Sequence, residues 1–99
     1  MAAYIIFTED ISDPAAVQAY AGKAVPTVLA AGGAPKIASG PAHVLEGDWH
    51  GQQTVMIEFE SVEAAKAWYD SPEYQAVVGQ RHAAATSNAA IFEQFSMPS

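Results

Sequence analysis

The sequence predicts an α+β sandwich, one antiparallel sheet of four strands with its helices packed on a single face. Three observations lead there. Apolar positions switch between a two-residue and a helical period in the order strand, helix, strand or hairpin, strand, helix pair, strand. The opening segment "AYIIFTE", residues 3–9, is apolar on both of its sides, which calls for cover above and below the sheet. A chain of 99 residues builds one core, so residues 1–99 read as one domain.

Each element has a local cause. Aromatic and β-branched residues favour an extended chain at 3–9, with Tyr4 and Ile6 on one side and Ile5 and Phe7 on the other. Asp13 then stands at a helix N-cap, with Pro14 in the first turn, where its missing N–H costs nothing. Val17, Tyr20, Ala21, Ala24 and Val28 form one stripe at helical spacing. Pro26 removes the hydrogen bond that Gly22 would accept, which predicts a bent helix rather than two, and Gly32 and Gly33 end it.

Residues 34–47 supply one or two short strands about the Gly40–Pro41 turn, with Pro35 and Pro41 marking an edge or bulge, and "DWHGQQ" is a loop. The strand at 53–60 alternates: Val55, Ile57 and Phe59 face the core, while Thr54, Met56, Glu58 and Glu60 make a mixed face. Ser61 caps a short helix in which Ala64, Ala65 and Trp68 share a side. Ser71 before Pro72 stops that helix near Tyr69. The same pair restarts it as N-cap and first residue, with Glu73 in the positive first turn and Tyr74, Val77, Val78 and Arg81 on the new stripe. The last strand is expected at 89–95, followed by a frayed tail.

This order is that of a ferredoxin-like βαββαβ sandwich with a broken second helix. Its helix-free face would show Met56 and one apolar side of the first strand, so it is expected to close on a second copy as a two-fold homodimer.

Composition narrows the function classes. Eleven acids against four bases give a net charge of −7, spread along the chain, which disfavours nucleic acid and anionic membrane as partners. Without cysteine there is no thiolate nucleophile, no disulfide and no Cys-ligated metal. No apolar run approaches the ~20 residues that span a bilayer, and the N-terminus lacks the basic start of a signal peptide, so a soluble cytoplasmic protein is expected. GxSxG, GxGxxG, phosphate-loop and HExxH patterns are absent, and the histidines are scattered. Neither a metal nor a cofactor is expected.

The stretch "WYDSPEYQ", 68–75, sets three aromatic rings around a chain break. They either floor a pocket for a flat apolar ligand, oriented by tyrosine hydroxyls, or pack a corner. Trp68 continues the Ala64–Ala65 side, which favours packing. Arg81, the only arginine, cannot be left unpaired inside. An internal acid such as Glu58 or Glu46 is one partner, favoured by the excess of acids, and a ligand carboxylate is the other. Glu58, between Ile57 and Phe59, reads either as a desolvated general base or as part of a solvated face. His43, Glu46, Trp49 and His50 crowd a segment at the expected cleft mouth.

The candidate ligand-binding residues are therefore Tyr20, Glu46, Trp49, Tyr69, Tyr74 and Arg81, around a cleft between the sheet and the broken helix. The expected ligand is a small, partly apolar organic molecule, carboxylated where Arg81 takes an anion. Its chemistry would be proton transfer by Tyr or Glu, with Arg81 stabilising negative charge. The rival reading is a non-catalytic stress-response or interaction module whose aromatic cluster is structural.

With these segments placed, the chain resembles the small bacterial family known as domain of unknown function 1330, in the dimeric α/β-barrel superfamily. The resemblance is carried by "VLEGDWHG" at 44–51, "VMIEFESVEAAKAWYDSPEYQ" at 55–75, Arg81 and "AAIFEQF" at 89–95, with the first strand and "DP" at 13–14. It implies a ferredoxin-like protomer and a sheet-to-sheet dimer, and no settled activity. Relatives in that superfamily include cofactor-independent monooxygenases, muconolactone isomerase-like enzymes, haem-binding members and stress-response proteins. Haem would need an axial ligand, and His43, His50 and His82 read as loop-like or peripheral.

Overall fold

The structure, a computed structural model, describes residues 1–96. Its elements are β1 (Ala3–Ile11), α1 (Pro14–Ala30), β2 (Ala34–Ser39), β3 (Gln53–Phe59), α2 (Val62–Tyr69), α3 (Pro72–Ala84) and β4 (Ala85–Glu93). Four strands form one antiparallel sheet in the order β2-β3-β1-β4, the ferredoxin-like arrangement.

The helix ends obey their local chemistry. Asp13 accepts the Ala16 N–H at 3.1 Å and Pro14 opens α1, which runs as one helix through Pro26. At its end Gly33 N–H donates to Val28 O (2.9 Å) and Gly32 N–H to Leu29 O (3.1 Å). Gly32 sits at φ 80°, a conformation glycine adopts freely. Ser61 and Ser71 accept from Ala64 N–H (3.0 Å) and Tyr74 N–H (3.2 Å), so the break between α2 and α3 falls where the sequence puts it.

Three features differ from the sequence reading. Segment 34–47 yields the single edge strand β2, bulged between Pro35 and Ile37, and the rest of the connection to β3 is loop. β1 continues past Glu9 to Ile11. β4 starts at Ala85, directly from α3, because Ala85–Asn88 pair with Ile11–Thr8 of the lengthened β1. The tail expected beyond Phe95 lies, from residue 97, outside the described residues.

The core forms where the helices meet the odd-numbered side of β1 and β3. Ile5, Phe7, Ile57 and Phe59 pack against Ala24, Val28, Ala65, Trp68, Tyr74 and Val78. Trp68 is its centre, with ring centroids at 4.1 Å from Tyr74, 5.6 Å from Phe59 and 6.5 Å from Phe7. Its indole N–H donates to Thr27 Oγ1 (3.0 Å), which donates to Ala24 O (2.6 Å), so the ring is held at both its apolar body and its polar tip. On the opposite side of the sheet lie Tyr4, Ile6, Met56, Glu58 and Phe92, with no helix of the described residues over them. Among the described residues no helix is long and apolar enough to cross a membrane.

Candidate functional site

α1 packs chiefly along α3 and only lightly on β2. Its inward stripe carries the small side chains Ala21 and Ala24, and these face Pro35 and Ala38 of β2 and Val55 and Ile57 of β3. Small residues on both sides leave the layers unfilled, and a cleft of about 450 Å³ opens between α1 and the sheet. That lies within the ~300–1,000 Å³ usual for small-molecule sites. Val17, Val28, Phe7 and Trp68 complete its apolar walls.

One end of the cleft, toward the N-terminus of α1, is polar. Alternation along β1 turns Ala3, Ile5, Phe7, Glu9 and Ile11 to the helix side, and so buries a carboxyl: Glu9 is 4% exposed. Arg81 reaches the same place from α3 and is 3% exposed, its guanidinium carbon 4.9 Å from the Phe7 ring centroid. Glu9 Oε2 and Arg81 Nε have no hydrogen-bond partner, nor does Ser87 Oγ, cross-strand from Glu9 on β4. These are all the buried side-chain atoms of that kind among the described residues. Such atoms are rare in folded proteins, and leaving one unsatisfied costs about 1–3 kcal/mol.

Tyr20, on the cleft wall, shares a 2.7 Å hydrogen bond with the hydroxyl of fully buried Tyr74. Burial, followed by that bond, raises the Tyr20 pKa far above its ordinary value, so the phenol stays protonated. Burial likewise pushes the Glu9 carboxyl up, partly opposed by the charge of Arg81. The arrangement offers a fixed cation, hydroxyl groups and a carboxyl able to hold or release a proton.

The structure distributes the residues singled out from sequence. Tyr20 and Arg81 line the cleft, and Tyr74 stands behind Tyr20. Tyr69 instead borders a separate cavity of about 350 Å³ with Ile5, Ala89, Ala90 and Ile91. Glu46 and Trp49 lie in the exposed β2–β3 loop, outside the cleft lining, and the Trp49 indole N–H donates to Thr54 Oγ1 (3.0 Å). The cleft itself lies chiefly under α1, with Trp68 of α2 and Arg81 of α3 also in its lining.

The expected ion pair of Arg81 with Glu58 or Glu46 does not form. Even positions of β3 face away from the helices, so Glu58 accepts from Tyr4 OH (3.2 Å) and lies 3.6 Å from Lys36 Nζ. His43, His50 and His82 are all exposed. Among the described residues no three of His, Cys, Asp or Glu gather as a metal site. Glu9 escapes the sequence reading, which ends the strand at it; its phase with Ile5, Phe7 and Ile11 is the signal that places it inside.

Fold and site define a ferredoxin-like α+β protein with an apolar cleft closed at one end by a buried acid and a buried arginine. The chain belongs to the family of the domain of unknown function DUF1330, whose model matches residues 2–95. No curated protein matches it. Among solved structures it is similar to RPA0582, a protein of unknown function from Rhodopseudomonas palustris (20% identity, TM-score 0.79, covering 97% of this chain and 84% of that one). It is similar also to a single-residue mutant of SnoaB, a cofactor-independent oxygenase from Streptomyces nogalater (10%, 0.70, 97% and 95%). A dimeric ferredoxin-like protein of unknown function from Thermobifida fusca matches at 13% and 0.57, covering 95% and 92%. At these identities the likeness is one of fold.

Proposed function

We propose that this protein binds a small, largely apolar organic molecule in the cleft beneath α1, its polar end against Glu9, Arg81 and Tyr20, and carries out cofactor-independent acid–base chemistry there. The observation that carries this reading is that Glu9 and Arg81, each buried and each with a side-chain atom lacking a hydrogen-bond partner, both line one largely apolar cavity. Glu9, its carboxyl raised by burial, acts as acid or base; Arg81, permanently charged, stabilises an anion. SnoaB's description as a cofactor-independent oxygenase supports the chemistry only as analogy of fold. The working unit is a homodimer joined through the helix-free face of the sheet, in keeping with the dimeric ferredoxin-like protein from Thermobifida fusca.

Thermal-shift screening against small aromatic and aliphatic acids, alcohols and ketones tests the reading. A ligand present at about a hundred times its Kd adds roughly 2.7 kcal/mol to stability. Wild type should respond to part of the panel and Ala21→Leu, which fills the cleft, should not. A flat wild-type response sinks the proposal and leaves the rival, an interaction module in which the Trp68–Tyr74 cluster serves packing alone.

A further inference from the structure

We propose that the polar end of the cleft takes a small carboxylic acid together with one proton, shared between the ligand and Glu9 while Arg81 neutralises the pair. The proposal rests on the cleft being a ligand site and names the ligand's class. Its first support is the state of Arg81. A guanidinium 3% exposed almost always has a carboxylate against it, yet the salt bridge found among the described residues is Lys36–Glu58, so Glu9 lies beyond ion-pair distance of Arg81. Arg81 lines the cavity, and its buried Nε–H lacks an acceptor. A planar two-oxygen group suits a guanidinium better than a lone hydroxyl does.

The second support is Glu9. A ligand carboxylate held by Arg81 comes beside the unpartnered Glu9 Oε2. Two carboxylates in contact do not both ionise, so one proton, already on Glu9 or taken up on binding where Glu9 is ionised, bridges them. Ligand carboxylate, Glu9 carboxylate, guanidinium and proton then sum to zero charge in a site with apolar walls. The groups facing Glu9 do not alter that count. Arg81 comes from α3 and Tyr20 from α1, with Tyr74 behind Tyr20 and exposed His82 beside Arg81 (Nη2 to Nε2, 3.4 Å). The strands on either side place neutral Gln53 and Ser87 opposite it. Burial favours the protonated form of Glu9, in the same direction.

Calorimetric titration of the wild-type protein with octanoate, cinnamate, 1-octanol and cinnamyl alcohol, in two buffers of different ionisation heat, tests this. Between the pH at which Glu9 of the free protein ionises and the higher pKa of the shared proton in the complex, the acids should bind with uptake of close to one proton, and their affinity should fall about tenfold per pH unit across that range. The alcohols should bind at least about tenfold more weakly. Glu9→Gln, whose amide donates where the shared proton would lie, should bind octanoate without proton uptake and without that pH dependence. Alcohols that bind as tightly as the acids, or acids that bind with no proton uptake at any pH in the range where the fold is stable, overturn the carboxylic-acid assignment and leave the cleft standing as a ligand site. Binding by none of the four overturns both.

Discussion

Glu9 and Arg81 are the residues on which the functional account turns, and they differ in how far the sequence exposes them. Arg81 stands out as the sole arginine on an apolar stripe, so its burial is legible. Its surroundings are not, because which acid approaches it depends on strand phase and on how α3 lies over β1. A pH prediction follows from Glu9. Its carboxyl titrates above the ordinary 4.5 in the fold, so as pH rises from there the unfolded chain releases its proton first and stability is lost up to the raised folded pKa. Glu9→Gln removes that loss. Urea midpoints should show the variant gaining on wild type between acid and neutral pH, and a gap constant with pH would contradict it. Tyr74→Phe deletes one partner of the Tyr20 hydroxyl and should cost about 1 kcal/mol. Trp68→Ala, at the core's centre, should cost ~3–5 kcal/mol.

At the scale of elements, the caps and breaks are the most legible part of the chain. Asp13–Pro14, Ser61 and Ser71–Pro72 each act within a single turn, so sequence neighbours decide the outcome. The start of β4 is hidden because Ala83–Ala85 favour continuing the helix; pairing with Ile11–Thr8, distant in sequence, overrides that preference. The cleft is hidden for a similar reason: Ala21 and Ala24 read as an apolar helix stripe whether or not the opposing strand fills the space. Two glycines test this layer. At Gly33 a Cβ would lie 2.7 Å from Val28 Cγ1 and 2.8 Å from the Phe59 ring, so Gly33→Ala should destabilise by ~1–3 kcal/mol through overpacking. Gly51, at φ 84°, abuts the Glu9 backbone, and Gln52 N–H donates to Glu9 O at 2.8 Å. Gly51→Ala should therefore weaken ligand response as well as lower Tm, whereas a fall in Tm with unchanged ligand response would separate this loop from the site.

Considered whole, the molecule puts an apolar core and cleft on one side of its sheet and an uncovered mixed face on the other. That this face is partly apolar is legible from Met56 and from a first strand apolar on both sides, since strand alternation needs no knowledge of the partner strand. The pairing with β3 makes Tyr4 and Ile6 the first strand's contribution to this face. Exposed Phe92 and Ile37 extend it to both edges. Sedimentation should give twice the chain mass for wild type, and Met56→Glu should shift it toward the single chain without unfolding it; a wild-type monomer at high concentration would contradict the dimer.

The most direct test of the central claim uses the fact that this chain has a single arginine. In a ¹⁵N-labelled sample the Arg81 Nε–H gives one side-chain signal, and Trp68 and Trp49 give separate indole signals, one from the cleft wall and one from outside it. On titration with octanoate, the account predicts that the Arg81 Nε–H signal moves along a saturable curve while the Trp49 signal stays in place. An Arg81 signal unmoved at saturation, or a response confined to Trp49, would contradict it.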